Sequence, residues 1–298
     1  MPIPMNDPMR RRRSVLYLPA SNLRAIAKAR TLAADSIVFD LEDAVAPLAR
    51  RDARRNLVAA FAEGGFESRE TVIRTNAVES ADFNADLETV AECAPHAVLL
   101  PKVSTTTSID TFTLAAREAG LLESIASWYM IETLAGLWNL RSLLEAGTRA
   151  PNRLAALVVG TNDLAKESGV WPGDERRYLV EWLMQVVLAA KACHCVVLDG
   201  VWNDFKDLAG FEREALQGKR MGFDGKTLIH PAQIDAANRV FCASADEIAH
   251  AQRIVDAFAQ PGNADAAVIN LDGEMVERLH FEQASRLLAG VPERASGD

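Results

Sequence analysis

The chain has 298 residues, 49% of them hydrophobic, which is ample for one large core or two smaller ones and argues against a disordered chain. Its net charge of −9, with basic residues scattered apart from the run Arg10-Arg11-Arg12-Arg13, excludes a nucleic-acid footprint as the main function, and the four arginines read as a solvated tail. No apolar run reaches the roughly 18 residues of a membrane span, the opening MPIPMNDPM lacks the core of a signal peptide, and the four cysteines show neither a CxxC pair nor zinc-finger spacing, so a soluble, cytoplasmic chain with buried thiols is expected.

Unbroken runs rich in Val, Ile and Leu recur along the chain, with helical periodicity between them. The first strand is read at SVLYLP (14–19) and is followed by an amphipathic stretch over 22–33. The second, SIVFDLE (36–42), leads into 45–63. The third is TVIRTN (71–76), and the fourth, AVLLPK (97–102), precedes a helical pattern over 109–120. The fifth, WYMIE (128–132), is followed by 134–147. The sixth is LAALVVG (154–160), and after a helical stretch over 176–193 come CVVLDG (195–200) and GKTLIH (225–230). Unbroken rather than alternating hydrophobicity suits parallel strands covered on both faces. Eight strand-then-helix units predict an α/β fold of the closed (β/α)8 TIM-barrel type. An open doubly wound sheet is the alternative, but no GxGxxG follows the first strand.

Beyond His230 the pattern changes. Ser244 and Glu247 form a capping box that opens a helix over 244–260, PGNADAAVINLDGEMVE reads as a hairpin turning at Asp272-Gly273, and a last helix is expected around 280–289. The expected organisation is a flexible N-terminal tail over 1–12, a barrel catalytic domain over 13–242, and a C-terminal helix-hairpin-helix appendage over 243–298. The appendage is too small for a core of its own and is expected to pack on the barrel or on a neighbouring subunit.

Barrel enzymes carry their chemistry at the C-terminal ends of the strands. Strand two ends in Asp40, Glu42 and Asp43, strand three in Arg74 and Asn76, strand four in Lys102 and strand five in Glu132. Strand six delivers Gly160-Thr161-Asn162-Asp163, strand seven Asp199 and strand eight His230. A lone strand-end acid is often a helix cap; so many converging on one mouth suggest a site. The acids outnumber Arg74 and Lys102, and crowded like charges need compensation. With oxygen ligands and no thiolates, the expected compensator is Mg²⁺, with Mn²⁺ as the alternative ion. Glu132 and Asp163, ending adjacent strands, are expected as direct ligands, with Glu42 and Asp43 orienting the ion's waters. Backbone amides from Gly160, Thr161, Asn162 and Asp163 near a helix start can cradle a carboxylate, although a plain βα turn accounts for the same residues.

Taken together, RSVLYLPASN (13–22), FDLEDAVAP (39–47), VIRTN (72–76), LLPKV (99–103), MIETLAGLWN (130–139), VVGTNDLA (158–165) and GFDGKTLIHPAQI (222–234) resemble the citrate lyase β-subunit-like branch of the HpcH/HpaI aldolase superfamily, over about residues 13 to 290. The resemblance implies a Mg²⁺-dependent TIM barrel in which Glu132 and Asp163 match the metal ligands and Arg74 the active-site arginine. Members include malyl-CoA, methylmalyl-CoA and citramalyl-CoA lyases, malyl-CoA thioesterases and the citryl-thioester-cleaving subunit of citrate lyase. Asp40-Leu41-Glu42-Asp43 stands where the aldehyde-aldolase sister branch has D-G-E-H, and the missing His favours the thioester-cleaving branch. The chain departs from the family pattern at Asn162, where many relatives have Glu or Ala, and at Glu277, where an Asp is common that in some relatives reaches a neighbouring subunit's active site.

The resemblance implies a carbon-carbon lyase that splits a 3-hydroxyacyl-CoA thioester of the malyl-CoA or citramalyl-CoA type into acetyl-CoA and a 2-keto acid. The alternatives are a malyl-CoA-type thioesterase, or a citrate lyase β-subunit acting on citryl-acyl carrier protein within a complex. In this reading Arg74 neutralises the enolate oxygen, and the base is Asp43 or Glu277 of the partner subunit. Arg24 and Lys28 either meet the CoA phosphates or form a solvated helix face. Lys102 has no assigned step, and His230 is expected to hold the last strand's exit turn. A homo-oligomer, trimer or hexamer, is expected, with no nucleic-acid or membrane partner.

Overall fold

The computed structural model describes residues 10–122, 124–263 and 266–290. The chain divides into two compact units, with the boundary after Phe241. In the first, eight parallel strands close into a barrel in sequence order: β1 (Ser14–Pro19), β2 (Ser36–Asp40), β3 (Glu70–Arg74), β4 (Ala97–Leu100), β5 (Ala126–Ile131), β6 (Leu154–Val159), β7 (Val196–Asp199) and β8 (Gly225–Leu228). Around them run α1 (Leu23–Ala29), α2 (Arg50–Glu63), α3 (Phe83–Cys93), α4 (Thr106–Glu118), α5 (Leu134–Trp138), α6 (Leu140–Arg149), α7 (Thr161–Ser168), α8 (Val180–Ala192), α9 (Leu208–Met221) and α10 (Ile234–Val240). This is the expected (β/α)8 TIM barrel. Most strands end one or two residues before the apolar runs do, because the polar residues at the mouth leave the ladder. The expected helix over 134–147 is two helices, divided at Asn139, whose amide donates to the Ser104 carbonyl at 3.0 Å.

Side chains on a strand alternate between its two faces. Val15, Val38, Val72, Trp128, Met130, Val158 and Leu198 fill the barrel's interior. Their chain neighbours Leu16, Ile37, Phe39, Ile73, Tyr129, Ile131, Val159 and Val197 pack outward into the core beneath the helices. The same phase continues to the mouth. Asp40, two residues past Val38, is inward, as are Arg74, Glu132, Gly160 and Tyr17, each two past an inward apolar residue. Asp199, directly after Leu198, is outward. This two-residue rhythm sorts the strand-end polar groups into two sets that serve different ends.

The arginine run differs from the expected solvated tail. Arg12 binds Glu70 with two 2.7 Å bonds, Arg13 binds Asp35 at 2.7 and 2.8 Å, and Arg10 approaches Glu70 at 3.6 Å. Glu70 opens β3 and is buried, so its carboxylate requires a nearby cation. Arg12 also lies 5.2 Å from the ring of Trp128 inside the barrel, and so closes the barrel floor opposite the mouth. The rest of the expected tail, residues 1–9, lies outside the described residues.

The second unit has α11 (Ala245–Ala259), a hairpin of β9 (Val268–Leu271) and β10 (Glu274–Glu277), and α12 (Arg278–Ala289). The capping box is present: Ser244 Oγ accepts from the Glu247 amide at 3.1 Å, and Glu247 accepts from the Ser244 amide at 2.7 Å. The hairpin turns through Asp272 and Gly273, both at positive φ (54° and 91°), as a tight two-residue turn requires. Contrary to the expectation of no core, Ala251, Ile254, Phe258, Ile269, Val276 and Ala284 form a small apolar cluster of its own. Among the described residues, no helix is long and apolar enough to cross a membrane.

Candidate active site

The chain turns inward after β2, and Asp40 organises the turn. Its carboxylate accepts the amides of Glu42 at 2.9 Å and Ala44 at 3.0 Å, and it holds the Arg74 guanidinium with two bonds, Nε to Oδ1 at 2.7 Å and Nη2 to Oδ2 at 2.6 Å. A two-pronged guanidinium-carboxylate pair fixes orientation as well as charge. Asp40 is thus spent on aiming Arg74, a role the sequence reading did not assign it. The remaining nitrogen of Arg74, Nη1, donates to Met130 Sδ at 3.7 Å and lies 3.2 Å from Glu42 Oε2, and the guanidinium carbon lies 5.0 Å from the centroid of the Tyr17 ring. Burial alone would favour loss of the Arg74 proton, but the adjacent Asp40 more than offsets this, and the group stays charged.

Glu42 is buried and pairs with Lys102 Nζ. Burial raises its pKa despite the pull of Arg74 and Lys102. Lys102 adopts a left-handed backbone, φ 54°, and its amide donates to Glu132 Oε1 at 2.8 Å. Such a conformation in a non-glycine residue costs about 1 kcal/mol or more, and it is tolerated here where it directs a donor at a buried acid.

Glu132, only 1% exposed, is the most perturbed acid of the mouth. Burial, followed by the like charge of Glu42, pushes its pKa up to about 8, and Asp163 adds to the repulsion. Its second oxygen, Oε2, is buried and has no hydrogen-bond partner among the described residues. The carboxylate can occupy this position only because residue 160 is glycine. A Cβ at Gly160 would lie 2.4 Å from Glu132 Cβ and 2.8 Å from Oε2.

Gly160 also begins α7, placing Asp163 in the first helical turn, where free backbone amides favour an anion. A cavity of about 300 Å³ opens there, lined by Tyr17, Asp40, Asp43, Ala44, Arg74, Met130, Val159 through Asp163, Val201, Thr227 and Ile229. The structure therefore gathers Arg74, Asp43, Gly160, Thr161, Asn162 and Asp163 around one cavity, with Glu132 and Glu42 adjoining it through Gly160 and Arg74. Asn162 exchanges side-chain amide bonds with Asn203 at 2.8 and 3.1 Å. Among the described residues, no group of three or more His, Cys, Asp or Glu side chains is arranged to hold an ion.

Other expected residues lie elsewhere. Arg24 and Lys28 are exposed on α1 and do not line the cavity. Glu277 belongs to the second unit, where its carboxylate caps α12 and its own amide donates to His280 Nδ1 at 2.9 Å. His230 caps the turn after β8 by accepting from the Ala232 amide at 3.1 Å.

Asp199 corrects the sequence reading, which placed it at the mouth. Its side chain points out of the barrel and is held by Arg176 Nη1 at 2.6 Å and Lys226 Nζ at 2.9 Å, while Lys226 also binds Glu214 at 2.8 Å. The reason is phase, since Asp199 sits one residue after the inward Leu198. The same test would have found Tyr17, which the sequence reading missed: it is two residues past the inward Val15 and faces the cavity.

The chain is similar to known proteins over most of its length. Residues 13–231 match the HpcH/HpaI aldolase/citrate lyase family. The chain is 42% identical over 277 residues to a (3S)-malyl-CoA thioesterase of Cereibacter sphaeroides (strain KD131 / KCTC 12085), covering 93% of each chain. It is 30% identical over 283 residues to the mitochondrial citramalyl-CoA lyase of Homo sapiens, covering 92% of this chain and 83% of that one. Among solved structures, protein CitE from Mycobacterium tuberculosis in complex with magnesium, acetoacetate and coenzyme A superposes with a TM-score of 0.76 at 26% identity, over 93% of this chain and 97% of that one. With the family match extending over most of its length, the chain belongs to the HpcH/HpaI aldolase/citrate lyase family.

Proposed function

We propose that the chain cleaves a short 3-hydroxyacyl-CoA thioester bearing a terminal carboxylate, of the malyl-CoA or citramalyl-CoA type, with Mg²⁺ as cofactor. The observation that carries this reading is the pairing, at one mouth, of an aimed cation, Arg74, with a buried carboxylate, Glu132, that has one oxygen unsatisfied. A hard cation fits that donor set: it would supply the missing partner of Oε2 and relieve the repulsion among Glu132, Glu42 and Asp163. Glu132 and Asp163 would hold it, and when bound it supplies Lewis-acid polarisation of substrate oxygens.

The chain's own residues divide the remaining work. Amides in the first turn of α7 bind the substrate carboxylate. Arg74, held by Asp40, faces the thioester carbonyl oxygen. That oxygen turns anionic both as the enolate of carbon-carbon cleavage and as the tetrahedral oxyanion of hydrolysis, so one guanidinium stabilises either reaction. Asp43 lines the cavity with its side chain 55% exposed; its carboxylate takes the proton, from the substrate hydroxyl in cleavage or from water in hydrolysis, and returns it to the enolate carbon or to the departing CoA thiolate. Glu277 of the partner subunit is the other candidate base, but its carboxylate would have to leave the cap of α12. Arg24 and Lys28 are assigned to the CoA phosphates.

The geometry suits both reactions. The 42% identity to a (3S)-malyl-CoA thioesterase favours hydrolysis, and the 30% identity to a citramalyl-CoA lyase makes cleavage to acetyl-CoA and a keto acid the second reading. Purified protein with Mg²⁺ and malyl-CoA, citramalyl-CoA or citryl-CoA separates them. Free CoA with an intact hydroxy acid means hydrolysis; acetyl-CoA with a keto acid means lyase. Turnover of citryl-acyl carrier protein alone would replace both with the citrate lyase subunit reading, and no turnover of any of these substrates would sink the proposal.

A further inference from the structure

Tyr17 stands on β1 in phase with Val15, above the apolar layer that fills the barrel. Its ring supports the Arg74 guanidinium, and it lines the same cavity as Arg74, Gly160 and Asp163. Its hydroxyl is buried and has no hydrogen-bond partner among the described residues. Other buried orphan atoms among the described residues include Thr75 Oγ1, Trp128 Nε1 and Tyr129 Oη, but none of those residues lines this cavity. A phenylalanine would fill the same space and support the same guanidinium without burying an unsatisfied hydroxyl. The hydroxyl is therefore a liability to the empty fold, and a ligand in the cavity is what could satisfy it. Burial also pushes the phenol's pKa well up, so it remains a neutral donor.

We infer that the Tyr17 hydroxyl donates a hydrogen bond to the bound substrate, at the anionic oxygen faced by Arg74, which makes Tyr17 a further catalytic residue. The inference rests on the cavity being the hydroxyacyl-thioester site proposed above. A charged and a neutral donor would then converge on one oxygen, with the ring of the second fixing the position of the first.

Tyr17→Phe tests it, because the ring and its packing are kept. On the substrate that the wild-type protein turns over best among malyl-CoA, citramalyl-CoA and citryl-CoA, kcat/KM is expected to fall about 10- to 100-fold, the range for a hydrogen bond to a charged group. The variant should melt at the wild-type temperature or above it and bind Mg²⁺ as the wild type does. A variant within twofold of wild type in both kcat and KM overturns the inference and leaves the proposed function standing. If the wild-type protein turns over none of these thioesters, the function fails instead. The inference, which rests on that function, then falls with it.

Discussion

The barrel contains two buried charge clusters built from the same residue types at neighbouring strand ends, and they are opposites. Outside β7 and β8, Asp199 and Glu214 meet Arg176 and Lys226, acid matched to base, with every pair bonded at 2.6 to 3.4 Å. Burial alone would raise the pKa of Asp199, but Lys226 and Arg176 outweigh it and lower the pKa. At the mouth, five acids, Asp40, Glu42, Asp43, Glu132 and Asp163, stand against two bases, Arg74 and Lys102, the Glu132 pKa rises, and among the described residues Glu132 Oε2 has no hydrogen-bond partner. A balanced cluster is complete in itself and serves the fold. An unbalanced one is complete only with a ligand, so charge bookkeeping separates structure from function where residue identity does not.

If the contrast is right, removing charge should act in opposite directions at the two places. Glu132→Gln is expected to lower turnover about 10³-fold or more and to abolish tight Mg²⁺ binding. The metal-free chain should keep or gain stability near neutral pH, because Gln removes the cost of holding a buried carboxyl protonated where the unfolded chain would ionise it. Thermal melts and Mg²⁺ titration read this out, and a variant with wild-type turnover would break the comparison outright. Lys226→Met should do the reverse, costing about 3 to 5 kcal/mol of stability in urea denaturation by leaving buried acids short of a partner. Its turnover per folded molecule should stay near wild type, and a selective loss of turnover would place that cluster in the chemistry. A smaller effect is expected from Asp40→Asn, which keeps the turn but loosens Arg74. Turnover should fall about 10- to 100-fold, mainly in kcat, and an unchanged kcat would mean that Arg74 needs no clamp.

The smallest effect is in pH dependence, and its sign differs between the clusters. In the metal-free folded chain Glu132 holds its proton up to about pH 8, whereas unfolded it releases the proton near 4.3. This group therefore draws stability away as pH rises between those values, and Mg²⁺ must displace a proton below about pH 8. Affinity is expected to weaken by up to about tenfold per pH unit below that point, and a flat calorimetric profile between pH 6.5 and 8.5 would contradict it. Asp199 has a lowered pKa. Its stabilisation is whole above the unfolded value of about 3.9 and is lost only as pH falls through the still lower folded value.

Much of the barrel was legible because its signal is local. Runs such as SIVF and LAALVV are apolar on both faces, and only a parallel strand covered on both sides uses such a run. The capping box at Ser244 and the hairpin at Asp272-Gly273 were equally readable, since each depends on residues within a few positions. The gathering of polar groups at the mouth was also visible, but the places of Asp199 and Tyr17 within it were not. Asp199 looked like Asp40 because both are strand-end acids, and one residue of phase sent them to opposite faces. The arginine run looked solvated because Glu70 and Asp35, its partners, are far along the chain.

By itself, then, the sequence determined the alternation of strands and helices, the family and the inventory of acids at the strand ends, because hydrophobic burial and turn chemistry act over short stretches of chain. Only the tertiary structure decided which acid is matched by which base. That choice depends on distances between residues brought together by barrel closure, and on whether the last side chain of each strand faces the cavity or the helices. The unsatisfied oxygens of Tyr17 and Glu132 became recognisable only once every nearby donor and acceptor had been placed.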